Sequence, residues 1–165
     1  MLTIAQETAE DAWEVENLFD LSFAPGRQML SSYRLREGNE PVAELCQIMR
    51  DDTGALVGAI RYYPILIGDE DHEALLLGPI SVHPTVQGEG VGGELIQNTL
   101  EIARKNGWER VILIGDAPYY GRFGFKKAQN LSFPPPVNPD RLLCLPLRQN
   151  AFDDVKGDIK LPRFD

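Results

Sequence analysis

Apolar residues along this chain fall into blocks, some spaced as in strands and others as in helices. A nearly continuous apolar run covers residues 74–82 and is typical of a buried strand, although Gly78-Pro79 interrupts it. Proline cannot donate to a strand ladder, so we expect a bulge or kink there. A glycine-rich turn follows, and apolar residues then recur at helical spacing up to Lys105. Residues 74–105 therefore predict a strand, a turn and a long amphipathic helix in direct succession.

The pattern before this segment predicts two helices and two strands. Thr8 has the features of a helix cap, and the helix that it begins should run to about Phe23. Residues 27–39 predict a second, shorter helical segment, which carries three arginines. Residues 42–49 and 55–67 predict strands joined by a hairpin turn. These strands form an antiparallel meander that leads into the segment at 74–105.

After the long helix, residues 110–114 predict a strand that runs parallel to 74–82, because a helix connects the two. Three consecutive prolines at 134–136 predict a semi-rigid loop, and residues 141–147 then resume as a strand. At 165 residues the chain is expected to form one domain, 1–165, large enough to bury a core without disulfides or metals.

Composition narrows the functional classes. A content of 43% hydrophobic and 25% charged residues is ordinary for a soluble globular protein. Apolar runs are shorter than a membrane span, and the first residues lack the features of a signal peptide, so we expect a cytoplasmic protein without a membrane partner. The formal charge of −9 argues against nucleic acid and weakly suits a cationic amine. Cys46 and Cys144 show no metal-ligand spacing, so no metal site is expected.

The turn between the strand and the long helix is dense in glycine. This glycine turn comprises residues 87–93, with the sequence QGEGVGG. Glycine at a helix start costs backbone entropy, so a reason for it is needed. Without side chains in the way, the unpaired N–H groups of the first helical turn can converge on an anion. The turn therefore predicts a phosphate or pyrophosphate site, with an ordinary tight turn as the alternative.

Two well-known phosphate motifs fit the glycine turn incompletely. Its outer glycines have P-loop spacing, but Glu94 and Leu95 stand where that motif requires a lysine and a hydroxyl residue. The turn also fits G-x-G-x-x-G, and Asp116 follows the next predicted strand, so a dinucleotide site remains open. Against it, the preceding strands read as antiparallel hairpins and the chain after the turn is short for such a fold.

A third motif, Gln-x-x-Gly-x-Gly, is satisfied by residues 87–92 between a bulged strand and a helix. Here the sequence resembles the GNAT superfamily of acyl-CoA-dependent N-acetyltransferases, whose pyrophosphate-binding motif has this form in this setting. Residues 119–125 look like the family's Tyr-x-x-x-Gly-Phe, which lies at the penultimate helix and the following strand. The two motifs occur in the family's order, with a predicted strand between them.

The resemblance implies an α/β (α+β) fold. Its mixed, mostly antiparallel central sheet would be flanked by helices, with a bulged and splayed central strand pair that binds the cofactor. The chain would form a single N-acetyltransferase domain that transfers an acetyl group from acetyl-CoA to a primary amine, by direct attack and without a metal. The acceptor would be a small-molecule or protein amine, and family members are often homodimers. A non-catalytic acyl-CoA-binding sensor or interaction module is the alternative.

The resemblance also implies roles for individual residues. Tyr120 would be catalytic, as the proton donor to the coenzyme A thiolate. No general base is apparent, and Glu73, His83 and Asp116 are the nearby titratable groups. Substrate contacts would come from Phe23, Tyr33 and Arg34. The cofactor would be bound by Ile80, Ser81, Val82, Gln87, Gly88, Glu89, Gly90, Val91, Gly92, Gly93, Tyr120 and Arg122.

Overall fold

A computed structural model describes residues 2–22, 35–36, 38–135 and 137–162 of the protein. Nine strands and three α-helices lie within these ranges. In chain order they are β1 (Thr3–Gln6), α1 (Ala12–Ser22), β2 (Gln47–Arg50), β3 (Leu56–Ile67), β4 (His72–Val82), α2 (Val91–Lys105), β5 (Arg110–Ile114), α3 (Ala117–Gly121), β6 (Lys126–Lys127), β7 (Leu131–Ser132), β8 (Leu142–Pro146) and β9 (Gly157–Lys160).

The strands form one mixed sheet in the order β1-β2-β3-β4-β5-β8-β6, with β9 against β3 and β7 against β9. Neighbours are antiparallel except for the parallel pairs β4 with β5 and β7 with β9. α2 connects the first parallel pair, as a crossover between parallel strands requires. The predicted mixed, mostly antiparallel sheet is confirmed.

The expected bulge lies in the middle of β4. The register shifts between Ile60 and Tyr62, so that the single β3 residue Arg61 faces Gly78-Pro79. Gly78 has a φ of +130°, a conformation open to glycine and strained for other residues. The bulge thus follows from local sequence, because proline cannot complete the ladder and glycine permits the bend.

Beyond the bulge, β4 separates from its parallel neighbour. In the described part of the chain, β4 pairs with β5 at Leu75 with Val111 and at Leu76 with Ile112. β4 nevertheless continues to Val82. The carboxyl ends of the two strands therefore diverge, and we call the space between them the strand cleft.

Helices cover both faces of the sheet. On one face α2 buries the apolar side predicted from sequence, and its Thr99 hydroxyl lies 2.7 Å from the Tyr62 hydroxyl of β3. On the other face α1 packs Val15, Leu18 and Phe19 against the sheet. None of the helices in the described ranges is long and apolar enough to cross a membrane. The buried residues of α2 are Val91, Leu95, Ile96, Thr99, Leu100 and Ala103.

The structure corrects the prediction at the amino-terminal side of the sheet. Residues 42–49 were expected as one strand, but Ala43–Leu45 form a 3-10 turn and the strand begins at Gln47. β1 was not predicted, because its four residues are mostly exposed and carry no alternating pattern. Thr8 caps a 3-10 turn at Ala9–Asp11 that leads into α1, and its backbone N–H donates to the Asp11 carboxylate at 2.8 Å. Most of the predicted segment 27–39 lies outside the described residues.

Candidate functional site

A cavity of about 360 Å³ lies at the amino end of α2, where the chain leaves β4. The glycine turn forms one side of it, and the first residues of α3 form the other. Tyr119 of α3 and Arg122 at its end contribute polar side chains to the wall, as does Gln87 of the glycine turn. The complete lining is Val82, Val86, Gln87, Gly88, Gly90, Val91, Gly92, Gly93, Tyr119 and Arg122.

The glycines of the turn serve two geometric needs. Gly88 and Gly90 have φ angles of +89° and +81°, which other residues adopt only with strain. Gly92 has an ordinary helical conformation, but a Cβ there would lie 3.1 Å from the Tyr119 hydroxyl and 3.4 Å from Val82 Cγ2. Gly92 therefore permits the close packing of α3 and the end of β4 around the helix start.

The helix start also leaves backbone donors available. Gly90 is the N-cap of α2, and the first intrahelical bond runs from Glu94 N to Gly90 O at 3.0 Å. The N–H groups of Val91, Gly92 and Gly93 precede that bond and have no intrahelical acceptor. The helix dipole adds positive potential at the same point. The arrangement fits the predicted binding of a phosphate or pyrophosphate.

Arg122 supplies a full positive charge beside these donors. Its guanidinium carbon lies 5.2 Å from the centre of the Tyr119 ring and 5.7 Å from that of Phe123. Two aromatic faces thus hold the side chain in the cavity wall. An anion in the cavity would meet backbone N–H groups on one side and this guanidinium on the other.

Val82 joins the cavity to the strand cleft. His83 N donates to Val57 O of β3 at 2.8 Å, so the backbone groups of Val82, one residue earlier, point away from β3. Ile80 lies two residues before Val82 and has the same orientation. Since β5 lies on that side of β4, both residues direct backbone N–H and C=O groups into the cleft.

Ser81, between Ile80 and Val82, points its backbone groups toward β3 and its side chain toward the α1 face, as strand alternation requires. Its side chain is buried beneath α1, where it hydrogen-bonds the Ser22 hydroxyl and lies 3.4 Å from Leu18 O. Ser81 was one of three β4 residues expected at the cofactor, but its side chain instead connects α1 to the strand.

Tyr120 lies beside the strand cleft on the α2 face of the sheet. Its Cε2 is 2.5 Å from the position that a Cβ of Gly115 would take, immediately after β5. Burial raises the pKa of Tyr62, which pairs with Leu77 next to the bulge, and the nearby Tyr120 adds a smaller increase. Burial, followed by the neighbouring Tyr119, raises the pKa of Tyr120 to about 12. The phenol therefore keeps its proton at neutral pH.

The two adjacent tyrosines divide between the cavity and the cleft. Their rings meet edge to face, with centroids 5.0 Å apart. Tyr119 lines the cavity, whereas Tyr120 contacts Gly115 and Phe125. The sequence motif indicated Tyr120 alone, and Tyr119 was not predicted as a site residue. Adjacent residues on a helix face different directions, so a second tyrosine next to Tyr120 could have indicated a contact with a different part of the site.

Of the three titratable groups considered as possible bases, two have structural roles and the third lies far from the cavity. Asp116 caps α3 through its contact with Tyr119 N at 3.3 Å, and His83 caps the turn at Pro84–Val86. Glu73 is exposed at the opposite end of β4 from the cavity. The described residues contain no group of three or more side chains suited to a metal ion.

The remaining predicted site residues divide into two sets. Gln87 and Glu89 are exposed, and Gln87 lines the cavity. Phe23, Tyr33 and Arg34, expected at the acceptor, lie outside the described residues.

Residues 4–128 match the family model described as an acetyltransferase (GNAT) domain. The chain belongs to the GNAT acetyltransferase family. As a member of that family it is an acyltransferase, and the family assignment favours the Gln-x-x-Gly-x-Gly interpretation of the glycine turn over the dinucleotide motif.

Two relatives from Escherichia coli (strain K12) are named as N-acetyltransferases. The protein is 27% identical to the uncharacterized N-acetyltransferase YhbS over 127 residues, which cover 77% of this chain and 75% of YhbS. It is 32% identical to the uncharacterized N-acetyltransferase YjhQ over 131 residues, which cover 78% of this chain and 70% of YjhQ.

Solved structures of GNAT proteins share the fold over nearly the whole chain. The crystal structure of E. coli YhbS in complex with CoA superposes with a TM-score of 0.85 at 24% identity, and covers 99% of this chain and 93% of YhbS. A GNAT acetyltransferase from Brucella melitensis in complex with acetyl-CoA gives a TM-score of 0.75 at 30% identity, and covers 98% of this chain and 96% of that protein.

Proposed function

We propose that this GNAT enzyme transfers the acetyl group of acetyl-CoA to a primary amine by direct attack through a tetrahedral intermediate. One observation carries the proposal: Val82 both lines the cavity at the start of α2 and directs its backbone groups into the strand cleft. An anion site and an extended slot therefore meet at one residue. Coenzyme A has matching parts, a pyrophosphate followed by an extended arm that ends in sulfur.

The described residues suit each part of the cofactor. The N–H groups of Val91, Gly92 and Gly93 would bind the pyrophosphate, with Arg122 opposite them. The backbone of Ile80 and Val82 would pair with the amides of the pantetheine arm, as a β-strand would. The relatives solved with CoA and acetyl-CoA support this assignment through their shared fold.

Tyr120 would serve the departing sulfur. In the reaction, the amine nitrogen forms a bond to the thioester carbon, the carbon–sulfur bond breaks, and one proton leaves nitrogen while one reaches sulfur. With a pKa of about 12, Tyr120 donates a hydrogen bond to the thiolate and supplies its proton as the bond breaks. The Ile80 N–H, the first amide after the bulge that faces the cleft, would donate to the carbonyl oxygen.

Ligand-dependent unfolding tests the proposal. Coenzyme A at 100 times its Kd should stabilise the fold by about 2.7 kcal/mol, whereas NAD should leave the thermal midpoint unchanged. Release of free thiol from acetyl-CoA in the presence of an amine then separates an enzyme from an acyl-CoA-binding module. Stabilisation by NAD alone, or by neither ligand, would contradict the proposal.

A further inference from the structure

A second cavity, of about 870 Å³, lies at the edge of the sheet where β6 pairs with β8. Cys144, Leu145 and Pro146 of β8 line it, and these residues pair with the first three residues of β5. The cavity at the glycine turn lies where β4 ends, toward the opposite end of the sheet, and the two linings share no described residue. We call the second one the edge cavity.

Backbone contacts hold the wall of the edge cavity together. Gly68 N donates to Asp158 O at 2.9 Å, and Gly157 N donates to Asn130 O at 2.9 Å. The two glycines also touch: a Cβ at Gly157 would lie 2.7 Å from Gly68 Cα, and a Cβ at Gly68 would collide with Lys156 O. The turn between β3 and β4, the chain at 129–130 and the loop before β9 are therefore fixed against one another, so the cavity is preformed.

The floor of the edge cavity is apolar. Leu145 and Val155 are buried there, and Cys144 and Phe152 are half-buried. Burial raises the pKa of the Cys144 thiol, which therefore stays uncharged at neutral pH. The floor can thus cover an apolar group and offers no charge of its own.

Lysines are concentrated around this floor. Lys126, Lys127 and Lys156 line the edge cavity, and they are three of only five lysines in a chain with a formal charge of −9. Lys127 pairs with Asp140 at 2.6 Å. Within the described ranges, Lys126 and Lys156 form no ion pair, so both ammonium groups can meet a ligand.

Two acids also line the edge cavity. Glu70 has a partner, since its carboxylate lies 3.3 Å from His72 Nε2. Asp154 is exposed and remains the carboxylate that opposes the two lysines. Three lysines against two acids leave an excess of positive charge, in contrast to the acidic chain as a whole. The cavity therefore favours an anion.

We propose that the edge cavity binds a small organic anion, with its apolar body on the floor at Leu145 and Val155 and its carboxylate or phosphate group at Lys126 and Lys156. Its volume falls in the range of about 300–1,000 Å³ typical of small-molecule pockets, which combine apolar walls with a few polar groups. Ammonium groups form charge-assisted hydrogen bonds with either kind of anion. A cationic ligand would meet the excess positive charge, and an inorganic anion would leave the floor uncovered. The site is distinct from the cofactor cavity and does not depend on acetyl transfer.

A matched series of compounds with one alkyl chain tests the inference. Calorimetric titration of the full chain measures the Kd of octanoate, octyl phosphate, octanol and octylamine, and of inorganic phosphate. At least one of the two octyl anions should bind with one-to-one stoichiometry, and the tighter of them identifies the preferred head group. Octanol, octylamine and inorganic phosphate should bind at least about tenfold more weakly. Saturating coenzyme A should leave the Kd of the anion unchanged, because the two cavities have separate linings.

Charge variants place the anion in the edge cavity. Lys126→Gln combined with Lys156→Gln should raise the Kd of the preferred anion by about tenfold and leave that of octanol unchanged. Asp154→Asn removes the opposing charge and should lower the Kd by about two- to fivefold, and asparagine tolerates the φ of +61° at this position. Lys105→Gln removes a lysine at the end of α2, outside the lining, and should leave the Kd unchanged.

The thermal midpoint of each variant shows whether the fold is intact. Failure of both octyl anions to bind would overturn the inference, as would equal affinity for octanol. Displacement of the bound anion by coenzyme A would also overturn it, because the anion would then occupy the cofactor cavity. An unchanged Kd in the double lysine variant would have the same consequence.

Discussion

Gly92→Ala should separate cofactor binding from fold stability. The new methyl carbon would lie 3.1 Å from the Tyr119 hydroxyl oxygen, which is closer than an ordinary contact. It would lie 3.4 Å from Val82 Cγ2, which is an ordinary van der Waals distance. The hydroxyl is the far end of a side chain and can move, so the steric cost is small. Alanine also gains up to about 1 kcal/mol of helix propensity over glycine. We therefore expect the free energy of unfolding to change by no more than about 1 kcal/mol.

Cofactor affinity should respond much more strongly to the same change. The methyl group projects into the wall of the cavity and moves Tyr119, which prevents close approach of the pyrophosphate to the helix start. Loss of one charge-assisted hydrogen bond corresponds to about 10- to 150-fold in Kd. Calorimetric titration with coenzyme A measures the affinity, and urea unfolding measures the stability.

Gly121→Ala is the matched control for this experiment. Gly121 ends α3 close to the cavity, but a Cβ there would meet no atom within 4 Å. This variant should bind coenzyme A as tightly as the wild-type protein. The reasoning would be refuted if Gly92→Ala bound normally, or if Gly121→Ala weakened binding equally.

Three further predictions concern the cleft and the sheet. Tyr120→Phe should lower kcat by about 10²–10⁴-fold without changing the Kd for coenzyme A, and an equal loss in kcat and affinity would contradict this. Because burial raises the pKa of Tyr120 to about 12, the wild-type kcat should not fall from ionisation of this tyrosine below about pH 10. Gly115→Ala should destabilise the fold by about 1–3 kcal/mol in urea unfolding, since the new Cβ would lie 2.5 Å from the Tyr120 ring. An unchanged urea midpoint would contradict the close packing of Tyr120 on Gly115. Glu7→Gln should lower the free energy of unfolding by about 3 kcal/mol, because it leaves Arg61, whose side chain is 10% exposed, without its main partner. Glu101→Gln breaks the half-exposed pair with Arg104 and should lower it by less than about 0.5 kcal/mol. Equal losses in the two variants would show that burial of the pair is irrelevant.

Strong periodicity made the centre of the fold predictable from sequence. The strand at 110–114 and the buried face of α2 have the expected positions, because both elements are packed on the sheet and their apolar spacing reports that packing directly. The bulge in β4 was predictable for a different reason, since glycine followed by proline is incompatible with a regular ladder.

Exposed and short elements carried too little signal. β1 is held by pairing with β2, a contact that its own mostly polar residues do not reveal. The 3-10 turn at Ala43–Leu45 has strand-like composition, and tertiary contacts set its conformation.

The site was predictable only in part, because motifs specify chain position and not direction. The glycine motif indicated the cavity, and Tyr-x-x-x-Gly-Phe indicated Tyr120. Tyr119 in the cavity wall became evident from the structure.

Transfer of isotopically labelled acetyl from acetyl-CoA to an amine tests the central claim most directly. The account predicts that labelled amide appears on an acceptor in step with free thiol, and that Tyr120→Phe slows both while coenzyme A still binds. A protein that binds acetyl-CoA in the cavity but transfers no label to any amine would contradict the account and would instead be an acyl-CoA-binding module.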